Sequence, residues 1–352
     1  MNVFKNLNIS LKANLKTGGA TGVYQNVVQK GHVGSGYIYA MQLHKDTDKN
    51  ELNSVLRATP TSTPSTPITY GNAILNMKSL AGGHSQTWEY AGKKGQWFIG
   101  TKGVNTANDG YNWATQIARV TIPPDTTTHY TNTDFPRLSH LSSAGNQEIE
   151  LRRAEAAVSP NYTYFLIATI DLDGNGYFSL YYLDDVNNAL TGKSAYSIAN
   201  LTPVSDFPPF KISNMTQNVS KTIKPGEVKI GSIQGYDIDE TVDKYNNKQV
   251  NIYISSEYSP DKGGQSEKRH IYKIPWGATD KSDWTDIDLS RDASVDYNGY
   301  PTEFESVQVI GENHLYLTVA YHGYYNKVKN GKKVKTWGTI ANRIYEVSWE
   351  NE

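Results

Sequence analysis

Cysteine is absent from all 352 residues, which excludes disulfides, thiolate nucleophiles and thiolate metal sites. Net charge is nearly absent as well: 34 basic against 35 acidic residues leave −1, so no global field favours nucleic acid or membrane. No apolar run approaches the ~18 residues of a spanning helix. The first ten residues, Met1 to Ser10, hold no apolar core of signal-peptide length. The expectation is therefore that the chain either is mature as it stands or leaves the cell by another route. Sustained helical periodicity is missing too; its best fragment, Asp185 to Leu190, is short. The eight histidines (His32, His44, His84, His129, His140, His270, His314 and His322) show no zinc spacing. A Gly-x-Ser-x-Gly elbow is also absent, which weakens a serine-hydrolase reading.

What the chain has instead is tyrosine, 25 of them, and a repeat. Five short segments open on Gln or Glu: Gln25-Asn-Val-Val-Gln, Gln86-Thr-Trp-Glu-Tyr, Glu155-Ala-Ala-Val-Ser, Gln234-Gly-Tyr-Asp-Ile and Glu305-Ser-Val-Gln-Val. A second, aromatic-aliphatic strand follows each one (near Tyr37, Trp97, Tyr164, Ile252 and Leu315), and then a third (near Val55, Gln116, Phe178, Ile271 and Ile344). A small sheet that recurs, none able to bury both faces alone, is the signature of a propeller. The fold class is all-β: a single five-bladed β-propeller domain with blades at about 22-80, 81-150, 151-230, 231-300 and 301-352. The last unit ends at its third strand, so the alternating segment within 1-15 is expected to close that blade and cover its edge.

Equivalent first strands would bring Gln25, Gln86, Glu155, Gln234 and Glu305 to one height around the channel, with His84 beside them. Two carboxylates and three amides form an all-oxygen set that Ca²⁺ would accept; equally, they could hydrogen-bond to neighbouring blades and channel water. No other cofactor is implied. Asp171, Asp173 and Asn175 resemble the first half of a calcium loop, but Tyr182 stands where the bidentate acid belongs, and a hairpin turn is the plainer reading. Asp237, Asp239, Glu240 and Asp243 read as a solvated turn. Glu155 and Glu305 could also face each other as glycosidase carboxylates, although nothing in the chain marks sugar subsites. Residues 58–67 form a Thr/Pro excursion. Residues 326–336 read as a basic hairpin; Lys329, Lys332, Lys333 and Trp337 are candidates for contact with an anionic wall polymer or lipid head groups. Tyr111, Trp113, Tyr130, Tyr324 and Tyr325 are further loop aromatics suited to a ligand surface.

Several long strings, among them Ala81-Gly-Gly-His-Ser-Gln-Thr-Trp-Glu, His129-Tyr-Thr-Asn-Thr-Asp-Phe-Pro-Arg-Leu-Ser and Val309-Ile-Gly-Glu-Asn-His-Leu-Tyr-Leu-Thr-Val-Ala-Tyr-His, resemble the helveticin J family of lactobacilli. The resemblance runs from about residue 24 to Trp349. It implies a large, heat-labile class III bacteriocin, non-lytic and active against related Gram-positive bacteria, whose partner is an envelope component of the target. It carries over no catalytic residue. A surface carbohydrate-binding or adhesion module and a channel-cation hydrolase are the competing readings. Glycan binding without growth inhibition would separate out the first, and release of sugar or phosphate the second.

Overall fold

A computed structural model of the chain describes residues 4–17, 26–45, 51–217, 228–260, 262, 268–329 and 331–351. Five sheets, each with four antiparallel strands and three of them with a fifth strand added in parallel, stand around one axis as a five-bladed propeller. Blade one runs outward from Val28–Val33 through Ile38–Lys45 and Glu51–Ala58 to Leu75–Met77. Blade two follows with Trp88–Tyr90, Gln96–Val104, Trp113–Thr121 and Arg137–Ser139. Blade three is built from Leu151–Val158, Tyr164–Asp171, Gly176–Tyr182 and Phe210–Ile212. Blade four comprises Tyr236–Val242, Lys248–Ser256, His270–Pro275 and Thr285–Asp288. Blade five takes Thr302–Gly311, His314–Lys329 and Lys332–Asn351 from the chain's end and Phe4–Lys16 from its start. The N-terminal strand pairs antiparallel along the last one, from Phe4↔Asn351 to Leu15↔Asn342, and so closes the ring as expected.

Neighbouring blades are also laced at their rims. The Thr/Pro excursion is largely exposed, and at its end Pro67–Thr69 pairs parallel with Asn14 to Lys16 of blade five. In the same way Thr128–Tyr130, between the third and fourth strands of blade two, edges blade one, and Tyr196–Ser197, between the third and fourth strands of blade three, edges blade two. Each borrowed strand satisfies backbone groups that an open sheet edge would leave unpaired.

Packing follows the same plan. Five apolar clusters fill the five gaps between blades, and each draws side chains from the two sheets that face it. Between blades one and two, Trp88 and Trp97 stack at 4.7 Å and 2°, and Tyr39 closes against Trp97 at 4.5 Å. Flat aromatic and β-branched residues suit this arrangement because two pleated faces must interdigitate along their length. The segment between the third and fourth strands of blade three is less of a surface excursion than its polarity suggests. Its helix, Leu183–Ala189, buries Leu183, Val186 and Asn187, and Asn187 bonds to Arg119 and to the carbonyl of Ala91 in blade two.

Candidate binding site at the hub

Two buried cations pin the inner strands together. Lys30 of blade one is fully buried; its Nζ lies 2.7 Å from Glu89 of blade two and 3.9 Å from Asp237 of blade four. It also donates to the carbonyl of Val307 in blade five at 2.5 Å. Burial opposes its charge, but the two carboxylates outweigh burial and hold its pKa above the ordinary lysine value. Glu89 is pushed up to about 8 by burial against the pull of Lys30. Asp237 is raised only to about 6, since it also accepts from the backbone N–H groups of Ile238 and Val309. Burial thus pushes both acids toward their protonated forms while Lys30 pulls them back.

The second cation is Arg153 of blade three. Its guanidinium donates to Glu155 at 3.0 Å, to Gln86 Oε1, and to the carbonyls of Ile233 and Gln234 at 2.8 and 2.6 Å. The same group lies 4.4 Å over the Trp113 ring. One side chain thus ties blades two, three and four. Glu155 accepts from Ser85 Oγ (2.7 Å), Thr87 Oγ1 (2.6 Å) and the Gln86 N–H (3.0 Å) as well.

Above Arg153 opens a cavity of about 460 Å³, lined by residues of blades one to five. One wall is aromatic: His84 stacks on Trp113 at 4.2 Å and 25°, and Tyr111 packs against both. Tyr111 and Tyr258, the latter on blade four's side, stand exposed at the rim. Polar groups line the rest: Gln29, Ser232, Gln234, Glu303 and Glu305. The charges here are mostly paired within the protein. Arg152 holds Asp109 at 2.8 Å, Arg153 holds Glu155, and Glu303 lies 2.9 Å from His322 Nε2. Glu305 is the exception. It is 1% exposed, and neither carboxyl oxygen has a hydrogen-bond partner in the protein. Burial, together with the nearby Glu303, outweighs Arg153 and raises its pKa well above the carboxylate range. Its surroundings therefore favour the neutral acid over the carboxylate.

The expected ring is brought together only in part. Gln25 lies outside the described residues. Gln86, Glu155, Gln234 and Glu305 do stand at the hub, but the set does not fit calcium. Glu155 turns its oxygens onto protein donors, Gln86 gives its oxygen to Arg153, and Gln234 uses its amide N–H on Ser232, Glu257 and Glu303. Among the described residues, no three His, Asp or Glu side chains converge as a metal site. Nor does Glu155 face the cavity opposite Glu305; Glu303 is the second acid there. The Asp171–Asn175 segment is a hairpin turn whose oxygens are engaged. Asp171 accepts from the Asn175 backbone and side-chain N–H groups and from Tyr177 OH. Asn175 Oδ1 accepts from the Asn214 N–H, and Asp173 lies in the same turn. The acidic run at 237–243 is a solvated turn only at its end, where Asp243 accepts from the Tyr245 and Asn247 N–H groups; Asp237 and Asp239 are each 1% exposed, and Asp239 accepts from Tyr253 OH and Asn251. Lys329, Lys332, Lys333 and Trp337 belong to a separate projecting hairpin in blade five.

Sequence reasoning missed Lys30, Arg152, Arg153, Glu303 and Tyr258. A signal for some of them was present: His84, Arg153, Ser232 and Glu303 each stand two residues before a repeat Gln or Glu, and all four line the cavity.

A family model described as "Bacteriocin helveticin-J" matches residues 3–350. The "Bacteriocin helveticin-J" of Lactobacillus helveticus is 40% identical over 366 residues, covering 99% of both chains. Solved structures with a similar course include the catalytic domain of an α-L-arabinofuranosidase from Coprinopsis cinerea, at TM-score 0.42, 8% identity and 96% of both chains. An exo-β-1,3-galactanase from Clostridium thermocellum reaches TM-score 0.44 at 8% identity, covering 94% of this chain and 65% of that one. Likeness at that level says nothing of chemistry.

Proposed function

The chain belongs to the helveticin-J family of bacteriocins, and from that premise we propose that it is a secreted antibacterial protein that binds a saccharide of the target cell's envelope in the hub cavity. Related Gram-positive bacteria are the proposed targets, and binding without wall lysis is the proposed mode. The observation that carries the ligand class is the charge state of the cavity. Arg152 and Arg153 are paired with carboxylates within the protein, Glu303 is engaged by Ser259 Oγ and lies against His322, and burial disfavours a charge on Glu305. What remains is an enclosure whose charged groups are mostly turned onto protein partners, with many hydrogen-bonding groups and exposed tyrosine rings at its rim. An uncharged polyhydroxylated ring matches that description, and a volume of about 460 Å³ lies in the range of small-ligand sites. Glu305 supports the reading further, because a buried carboxyl without a partner is costly until a ligand supplies one.

One observation favours hydrolysis as a second reading. Burial favours the protonated form of Glu305, and Glu303, two residues earlier on the same strand, lines the same cavity. The pair of acids that glycoside hydrolysis requires is therefore present by type.

Saccharide fragments prepared from the walls of a susceptible strain, titrated against the purified protein, test both readings. Saturable binding that is lost in Glu305→Ala and Tyr111→Ala, with no new reducing ends, is the expected result. Reducing ends that disappear in Glu305→Gln would move the chain to the hydrolases. Binding without growth inhibition would make it an adhesion module, and no binding at all would end the cavity reading.

A further inference from the structure

The last two strands of blade five continue together well beyond their sheet. Their register runs from His322↔Thr339 to Lys329↔Lys332. The inner strand of the blade stops at Thr302↔Tyr321, and the N-terminal strand stops at Leu15↔Asn342. A two-stranded arm therefore projects by seven residue steps, about 24 Å at ~3.4 Å per residue. A register shift between Tyr321 and His322 marks its root, where a bulge can redirect the strands. Just above, Gly323 faces Gly338. A Cβ at Gly323 would fall 2.9 Å from the Tyr300 ring, and one at Gly338 would fall 3.0 Å from the Tyr325 ring. Aromatic rings thus fill the gap left by the glycine pair and seat the arm on the blade.

The chemistry of the arm is unlike that of the rest of the surface. Between residues 322 and 341 there are five lysines (Lys327, Lys329, Lys332, Lys333 and Lys335) and no Asp or Glu, on a chain whose overall charge is −1. Near the turn Val328 and Val334 are 66% and 44% exposed. Four residues closer to the body, Tyr324 and Trp337 oppose each other with rings 5.0 Å apart, and Lys335 lies 4.4 Å over the Tyr324 ring. From the tip inward the order is lysine with exposed valine, then a Tyr–Trp pair.

We propose that this arm docks the protein on an anionic lipid bilayer, with the valine-bearing tip in the head-group layer and the lysines on lipid phosphates. Lysines alone would serve any polyanion. The exposed valines distinguish the lipid surface, because a soluble polyphosphate offers them nothing to bury against, whereas the head-group and acyl boundary does. Tyr and Trp set back from the tip suit the bilayer–water interface, where rings with one polar end gather. The arm leaves its blade beside the hub cavity, since His322 at its root contacts Glu303 in the cavity wall. Docking would therefore turn the cavity's end of the propeller toward the membrane.

Sedimentation of the full chain with vesicles tests this. Phosphatidylcholine vesicles carrying about one-third phosphatidylglycerol should bind it, pure phosphatidylcholine should not, and raising the salt about tenfold should weaken binding at least about tenfold. Replacing Lys332, Lys333 and Lys335 together with Gln should lower partitioning about a hundredfold, at about fivefold per lysine. The pair V328S and V334S should lower partitioning about tenfold and leave binding to soluble inorganic polyphosphate unchanged. Far-UV circular dichroism and saccharide binding in solution should be unaffected in both variants, which separates this result from the fate of the hub cavity. Equal binding to neutral vesicles, no vesicle binding, or a valine pair that is silent while polyphosphate competes fully would each overturn the bilayer; the last would transfer the arm to polyanion recognition.

Discussion

Replacing Lys30 with Met tests whether the blades are pinned at the hub by charge. Methionine keeps most of the side-chain volume, so the change removes a cation and little packing. Glu89 and Asp237 then face each other without the ammonium that now lies 2.7 and 3.9 Å from them, and the Val307 carbonyl loses its donor. Breaking a buried ion pair from one side costs about 3–5 kcal/mol. With an unfolding entropy of about 2.1 cal/mol/K per residue, 352 residues give about 0.7 kcal/mol/K, so the melting temperature should fall by about 4–7 °C. The loss should also grow with pH. Both carboxyls already have folded pKa values above their unfolded ones, at about 8 for Glu89 and about 6 for Asp237, and losing Lys30 raises them further. A raised acid contributes its stability in full below its unfolded pKa and loses it as pH rises toward the folded value. The gap between Lys30→Met and wild type should therefore be smallest near pH 4.5, open as pH passes the wild-type value of about 6 for Asp237, and still be widening at pH 8.5. Differential scanning calorimetry from pH 4.5 to 8.5 measures it, with exposed Lys248→Met as a control expected to shift by under about 1 °C. A Lys30→Met protein that melts within about 1 °C of wild type at pH 8, or a gap independent of pH, would refute the charge pin.

Other outcomes follow from the same geometry. Deleting residues 1–16 strips the partner from the last strand of blade five and opens the ring; a melting temperature lower by about 10 °C or more, with aggregation, is expected. Wild-type stability should decline from about pH 5 to pH 8, because burial raises Glu257 to about 8 against its bonds from Thr302 and Phe304 and raises Glu305 in the same direction; Glu257→Gln should flatten that slope in calorimetry. Gly100→Ala should cost about 2–3 kcal/mol in denaturant unfolding, since the new Cβ would fall 2.2 Å from Ser85 Oγ and drive that hydroxyl off Glu155.

The architecture was legible because each unit repeats one opening polar residue and two aromatic-aliphatic strands, and the N-terminal alternation matched the strand missing from the last unit. The hub was legible to the level of Gln86, Glu155, Gln234 and Glu305. Stepping back two residues from each also reaches the cavity wall at His84, Arg153, Ser232 and Glu303, as period-two geometry requires. Beyond that, counting fails for a physical reason. Inner strands are irregular at Val28/Lys30, Leu151/Arg153 and Phe304/Val307, and a bulge resets which residues share a face. In blade one, consecutive residues both reach the hub: Gln29 bonds to Gln86 and Lys30 to Glu89. Charge was misleading for a related reason. Asp237 and Asp239 read as solvent-facing because partners such as Lys30, Tyr253 and Asn251 are remote in sequence or on another strand. Of the two readings of the ring, a calcium cage and hydrogen bonding between blades, the second describes Gln86, Glu155 and Gln234, where an arginine from the chain itself supplies the positive charge.

The most direct measurement pairs killing with binding across graded cavity variants: Tyr258→Ala, Tyr111→Ala, Glu305→Ala and Glu305→Ala with Tyr111→Ala. For each, the affinity for wall saccharide by isothermal titration is set against the minimal inhibitory concentration on a susceptible strain, with folding checked by calorimetry. If the hub cavity recognises the target, the inhibitory concentration rises in step with the dissociation constant while the melting temperature stays near wild type. Full killing by a folded double variant that no longer binds saccharide would contradict it.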